Sequence, residues 1–142
     1  MISRIVGAMS PRIPFRIFLI SLSIKIKGTI FDVCAVLGDP SLFIITSEFP
    51  WSANGRAMTM NSNVGKTKLL TNLEKTKILG IGIVGDNAGD LISEAMLALE
   101  MNAIPEDIGM TIHPHPTLSE TLANASDILT GSITELYIPK RI

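Results

Sequence analysis

Two prolines separated by a single histidine constrain this chain more than any other feature. They lie in residues 111–120, Thr-Ile-His-Pro-His-Pro-Thr-Leu-Ser-Glu. Neither proline has a backbone N–H, and each pushes the residue before it out of the helical region. No regular helix or strand runs through such a stretch, so it must be a shaped turn between two elements. It carries His113 and His115, and Glu120 stands five residues after the second histidine. A shaped turn bearing His and Glu is a candidate acid–base site.

The chain around it is long enough, at 142 residues, for one domain with a buried core. A net charge of −1 points to no nucleic-acid partner. Cys34 is the only cysteine, which excludes an internal disulfide, a CxxC centre and a thiolate metal cluster, and fits a cytoplasmic protein. No uninterrupted apolar run reaches the length of a membrane span. Charge is uneven: every charged residue before Asp32 is basic (Arg4, Arg12, Arg16, Lys25, Lys27), and all acidic residues follow. Such asymmetry suggests that the two parts differ in origin or role.

Leu22, Ile24 and Ile26 alternate with Ser23, Lys25 and Lys27, a strand period within the first forty residues. The acid-free, Arg-bearing N-terminus also has the composition of a targeting peptide. Arg16 interrupts its apolar run and no small-residue cleavage site follows, so a structural strand or a poorly ordered segment is the preferred reading. Residues 42–49 read as a strand stopped by Pro50, and residues 51–63 as a loop with an Asn-Gly pair. Residues 66–84 predict a β-hairpin with its turn around 73–76. Thr67, Leu69 and Thr71 would share one face. On the return strand Leu79, Ile81 and Ile83 would alternate with glycines, leaving a flat face for a helix.

Residues 88–102 carry the clearest helical stripe, Leu91, Ile92, Ala95, Met96 and Leu99, with Asp86 or Asn87 as cap and Asp90 favouring the helix dipole. Pro105 followed by Glu106 and Asp107 predicts a second helix to about Ile112. Thr117 with Glu120 has the form of a capping box and predicts a third over 117–129. The tail 131–142 shows one short extended run.

Gly80-Ile81-Gly82-Ile83-Val84-Gly85 satisfies GxGxxG before a helix. A dinucleotide loop needs the first glycine to end a strand and the helix to open on the loop. Here Ile81, Ile83 and Val84 carry a strand through the glycines, so nucleotide binding at this run is rejected. A metal site is rejected as well, because His113 and His115 are a poor chelate across Pro114 and lack a third ligand nearby. In the turn, His115–Pro116 is a bond at which a cis peptide is accessible. Glu120 is within reach of the His115 ring, where it would select the tautomer and favour the imidazolium. His113 reads as orienting or structural.

Several segments together resemble the C-terminal end of dihydrolipoamide dehydrogenase, of the pyridine nucleotide–disulfide oxidoreductase family. They are FPWSANGRAM at 49–58, KTKLL and ILGIGIVG within 66–85, AGDLISEAMLALEM at 88–101, PEDIGMTIHPHPTLSE at 105–120 and GSITEL at 131–136. Order and spacing agree over about two-thirds of the chain. The family usually has Ala where Pro114 stands, a departure that stiffens the turn.

The resemblance implies an α+β fold, an antiparallel sheet packed against helices of the interface-domain type, incomplete at its N-terminal side. It implies an unmatched segment over residues 1–40 and a dimerisation domain over 41–142, with its core from about 42 to 136. It implies an oxidoreductase that oxidises dihydrolipoamide and passes electrons through FAD and a disulfide to NAD, with His115 and Glu120 as the acid–base pair. His115 and Pro116 would approach a partner subunit's FAD. The expected partners are a second copy or a chain carrying the FAD and NAD domains, within a 2-oxo acid dehydrogenase complex.

The FAD fingerprint, the redox-active cysteine pair and the NAD domain of that family do not occur in these residues. No cofactor is therefore expected to bind this chain alone, nor any turnover by it. A truncated or frameshifted product, a split gene, a non-catalytic dimerisation module and a non-functional remnant are the alternatives.

Overall fold

The computed structural model describes the backbone of residues 5–6, 18–26 and 29–37, and residues 44–139 with their side chains. One antiparallel sheet contains β1 (Ile5–Val6), β2 (Phe18–Ile26), β3 (Thr29–Leu37), β4 (Ile44–Pro50), β5 (Lys66–Asn72) and β6 (Ile78–Gly85). Its spatial order is β1-β2-β3-β6-β5-β4. The helices are α1 (Gly55–Thr59), α2 (Ala88–Glu100), α3 (Pro105–Met110) and α4 (Glu120–Thr130). The α+β class follows. The alternation at Leu22–Ile26 falls in β2, and β3 lies along β6 from Asp32 to Leu37.

The hairpin forms as its pattern requires. Asn72 organises the turn, its side-chain oxygen accepting from the N–H groups of Thr76 and Lys77 at 2.9 Å each. Thr67 pairs with Phe49 and Ile83, and Leu69 with Ser47 and Ile81, so these side chains share one face. That face is buried, and one core joins Ile81 and Ile83 to Ile92, Ala95 and Leu99 of α2 and to Leu122 and Leu129 of α4. The expectation of a helix on the glycine face is corrected: α2 and α4 cover the isoleucines. The reason is area, since burying large aliphatic side chains contributes about 1.5–3 kcal/mol each and a glycine face offers none. Leu79 departs from the expected alternation because the ladder shifts register between Leu70 and Thr71.

Three local expectations are revised. Neither Asp86 nor Asn87 caps α2 with its side chain: Asn87 is left-handed, at φ 60°, and the Asp86 carboxylate accepts from the Ser62 hydroxyl. The tight β6–α2 connection uses Asn87 as a corner instead. Residues 51–63 are not plain loop. They hold a 3₁₀ turn over Trp51–Ala53 and then α1, whose N-cap is Asn54, its oxygen accepting from Ala57 N–H at 2.9 Å. The tail through Pro139 contains no strand among its described residues.

Trp51 is fully buried and explains two glycines. A Cβ at Gly65 would lie 2.4 Å from the indole, and one at Gly85 would lie 2.3 Å from it. Beyond the core, α3 starts where Pro105 predicts, and the Asp107 carboxylate caps it by accepting from Ile104 N–H at 2.9 Å.

Candidate active site

The proline-rich turn lies between α3 and α4, and its C-terminal half is organised by Glu120. One carboxylate oxygen accepts from Thr117 N–H at 2.7 Å and the other contacts His115 Nδ1 at 2.8 Å. The backbone half of the predicted capping box is therefore real. The helix nevertheless starts at Glu120 rather than Thr117. Thr117 Oγ1 is spent on the Pro114 carbonyl and the Ser119 hydroxyl, at 2.7 and 2.8 Å, and caps no helix N–H. The His115–Pro116 peptide is cis.

A carboxylate next to Nδ1 selects the tautomer with the proton there, which leaves the Nε2 lone pair free. The His115 side chain is 77% exposed while Glu120 is 20% exposed. The His115 ring thus faces outward, held through Nδ1 against a carboxylate that is itself fixed by Thr117 N–H. An open cleft of about 490 Å³ adjoins the turn, walled in part by Arg56, Met60, Leu91, Pro116 and Thr117.

A buried polar chain ties this turn to the sheet. Trp51 Nε1–H donates to Thr67 Oγ1 at 3.0 Å, Thr67 donates to Thr121 Oγ1 at 2.9 Å, and Thr121 donates to the Leu118 carbonyl at 2.7 Å. Asn54 adds a second tie, its Nδ2 donating to the Thr117 carbonyl at 3.0 Å. Burial makes each bond costly to lose, because the deserted group has no water to turn to.

His113 and His115 have separate partners. His113 Nε2 contacts Glu94 Oε1 of α2 at 2.6 Å, and its Nδ1 contacts the Thr111 carbonyl at 2.8 Å. Among the described residues no group of three His, Cys, Asp or Glu side chains is arranged to hold a metal ion. The GxGxxG run lies inside β6, which ends at Gly85 before α2 starts at Ala88. No helix among the described residues is long and apolar enough to cross a membrane. The structure brings His115 and Glu120 together as the sequence reading expects, and it adds Glu94, Asn54, Thr67 and Thr121 to the surroundings of the turn. Asn54 was visible only as half of an Asn-Gly turn signal, and the other three carried no signal beyond their elements.

An antiparallel sheet backed by helices, with a His–Glu turn projecting from its helical layer, is the architecture of an interface domain. Residues 37–126 match the family model described as pyridine nucleotide-disulphide oxidoreductase, dimerisation domain, and the chain belongs to that family. Its relatives include the dihydrolipoyl dehydrogenase of Buchnera aphidicola subsp. Schizaphis graminum, 54% identical over 95 residues, covering 67% of this chain and 20% of that protein. The dihydrolipoyl dehydrogenase of Bacillus subtilis is 44% identical over 94 residues, covering 66% of this chain and 20% of the relative. The chain thus spans about a fifth of the length of these relatives. Among solved structures, LpdA from Mycobacterium tuberculosis superposes with a TM-score of 0.67 at 19% identity, over 78% of this chain and 25% of that one. The HOCl-induced flavoprotein disulfide reductase RclA from Escherichia coli gives 0.64 at 18% identity, over 69% and 24%. At such identity these two establish the fold alone.

Proposed function

We propose that this chain is the dimerisation portion, residues 41–142, of a dihydrolipoyl dehydrogenase, and that it contributes His115 and Glu120 as an acid–base pair to an active site shared with a partner. The carrying observation is the 2.8 Å contact between His115 Nδ1 and Glu120 Oε1 on a turn that leaves Nε2 facing solvent. In this reading a thiol of dihydrolipoamide gives its proton to His115 Nε2. The thiolate is then free to attack a disulfide on the partner, and Glu120 holds the imidazolium in place.

FAD and NAD, which the family reading implies, are carriers of the electrons in that chemistry. The glycine-rich run among the described residues does not fit them, since it is interior strand and offers no turn for a pyrophosphate. Both cofactors are assigned to a chain carrying the FAD and NAD domains, and His115 and Pro116 would meet the flavin only across that interface. A second copy of this chain is the other proposed partner. A 2-oxo acid dehydrogenase complex is the proposed setting, and the lone Cys34 supports a cytoplasmic one.

A second reading, a dimerisation module without catalysis, is favoured by the apolar side chains that the α2–α3 face leaves in solvent. Leu97 of α2, Met101 at its C-cap, Met110 at the end of α3 and Ile112 just beyond it are all exposed. One experiment separates the two readings. The chain is supplied in trans to a dihydrolipoyl dehydrogenase lacking its interface domain, and lipoamide reduction by NADH is measured. Rescue by the native chain and none by His115→Ala is the expected result. Equal rescue by both would sink the catalytic reading and leave the module.

A further inference from the structure

We infer that His113 is a positioning residue, clamped to α2 by Glu94, which orients the turn that presents His115; this rests on the reading of His115 as a proton acceptor. The inference starts from how little else holds the turn at its entry. Of residues 110–116 all are exposed except His113, whose side chain is only 7% exposed. Met110 and Ile112 point into solvent, so no apolar packing anchors this side. The His113 ring is the plug that fastens it.

The chemistry of its two contacts shows why the plug is firm. A carbonyl oxygen only accepts, so Thr111 O requires the proton on His113 Nδ1. His113 Nε2 then either donates to an ionised Glu94 or accepts from a protonated one, across 2.6 Å. In both cases a proton lies between the partners and both ring nitrogens are used. His113 Nε2 is thus closed to a substrate proton, while His115 Nε2 is open. Glu94 itself stands on a rigid support, since Ile92 and Ala95 on either side of it are buried in the core.

From the His113 ring to His115 there is one residue, Pro114, whose ring fixes its own φ. The Pro114 carbonyl is tied in turn to Thr117 Oγ1 at 2.7 Å. Orientation imposed at His113 therefore passes to His115 with few free torsions between. Glu120 sets the tautomer of His115, but it does so only if the ring is brought to it. Glu94–His113 supplies that approach from the other end of the turn.

The test reads the His115 ring by long-range ¹H–¹⁵N correlation NMR on the whole chain, independently of turnover. In the native chain the neutral His115 ring should favour the Nδ1–H tautomer about tenfold, the ratio expected of a charge-assisted bond to a carboxylate. Glu94→Ala should reduce that ratio at least about fivefold, since most of a tenfold bias is lost when the ring swings free. Glu94→Gln, whose amide still bonds the His113 ring, should keep it. Ser93→Ala, exposed on the same helix turn, is the control and should leave it unchanged. The Trp51 indole N–H resonance reports that the sheet is intact in each variant; if Glu94→Ala unfolds, His113→Asn is read the same way.

A native ratio in the folded clamp variant, or an equal loss in Ser93→Ala, overturns the inference. Failure of the parent reading shows itself elsewhere, as rescue in trans by His115→Ala, and would leave the tautomer result standing.

Discussion

The same substitution at two places on one strand should change stability in opposite directions. Thr67 and Thr71 both lie on the buried face of β5 and are both fully inaccessible to solvent. Thr67 Oγ1 accepts from the Trp51 indole and donates to Thr121, whereas Thr71 Oγ1 is buried with no hydrogen-bond partner. Replacing Thr71 by Val removes a hydroxyl that pays desolvation without return and puts a methyl in its volume, so it should stabilise by about 1 kcal/mol. Thr67→Val strands the Trp51 N–H and takes away the donor to Thr121, and should cost about 2–3 kcal/mol. The two midpoints in urea should therefore move apart by the equivalent of about 3–4 kcal/mol. The assay is built in, because Trp51 is the sole tryptophan and its emission reports the transition. If both variants shift in the same direction, the assignment of one hydroxyl as bonded and the other as orphaned is wrong.

Four further substitutions, at Asn54, Gly65 and Gly89, have expected outcomes. Asn54→Ala removes both the α1 cap and the bond to the Thr117 carbonyl, and should lower unfolding free energy by about 2–3 kcal/mol. Asn54→Ser keeps a cap acceptor without the reach to Thr117 and should recover roughly half of that in the same urea experiment. Gly65→Ala drives a methyl against both the indole and the Val84 carbonyl, which cannot retreat together. It should cost about 3 kcal/mol and lower the thermal midpoint by about 10 °C by calorimetry. Gly89→Ala, in the first turn of α2 with open space around it, should stabilise by about 0.5–1 kcal/mol, seen as a rise in the same midpoint.

The legible parts of this protein are those where one physical rule acts over neighbouring residues. The period of Thr67, Leu69 and Thr71 determined the buried face of β5, and the stripe from Leu91 to Leu99 determined α2, because each periodicity has one way to bury its apolar set. Prolines 114 and 116 determined that a turn must stand between α3 and α4. Glu120, five residues from His115 and at the first turn of the next helix, was close enough in sequence for their pairing to be read in advance.

The tertiary structure decided what depends on distant partners. Which face of β6 receives the helices is decided only in the fold, because the pattern of Gly80, Ile81, Gly82 and Ile83 marks two faces without saying which will meet α2 and α4. The Trp51–Asn54 segment looked like loop, because its burial needs Gly65 and Gly85 to be brought against the indole from elsewhere in the chain. The division of labour between the two histidines was decided the same way. They are near-identical in sequence, each beside a proline, and only the approach of Glu94 from α2, nineteen positions away, separates the ring that is held from the ring that is free.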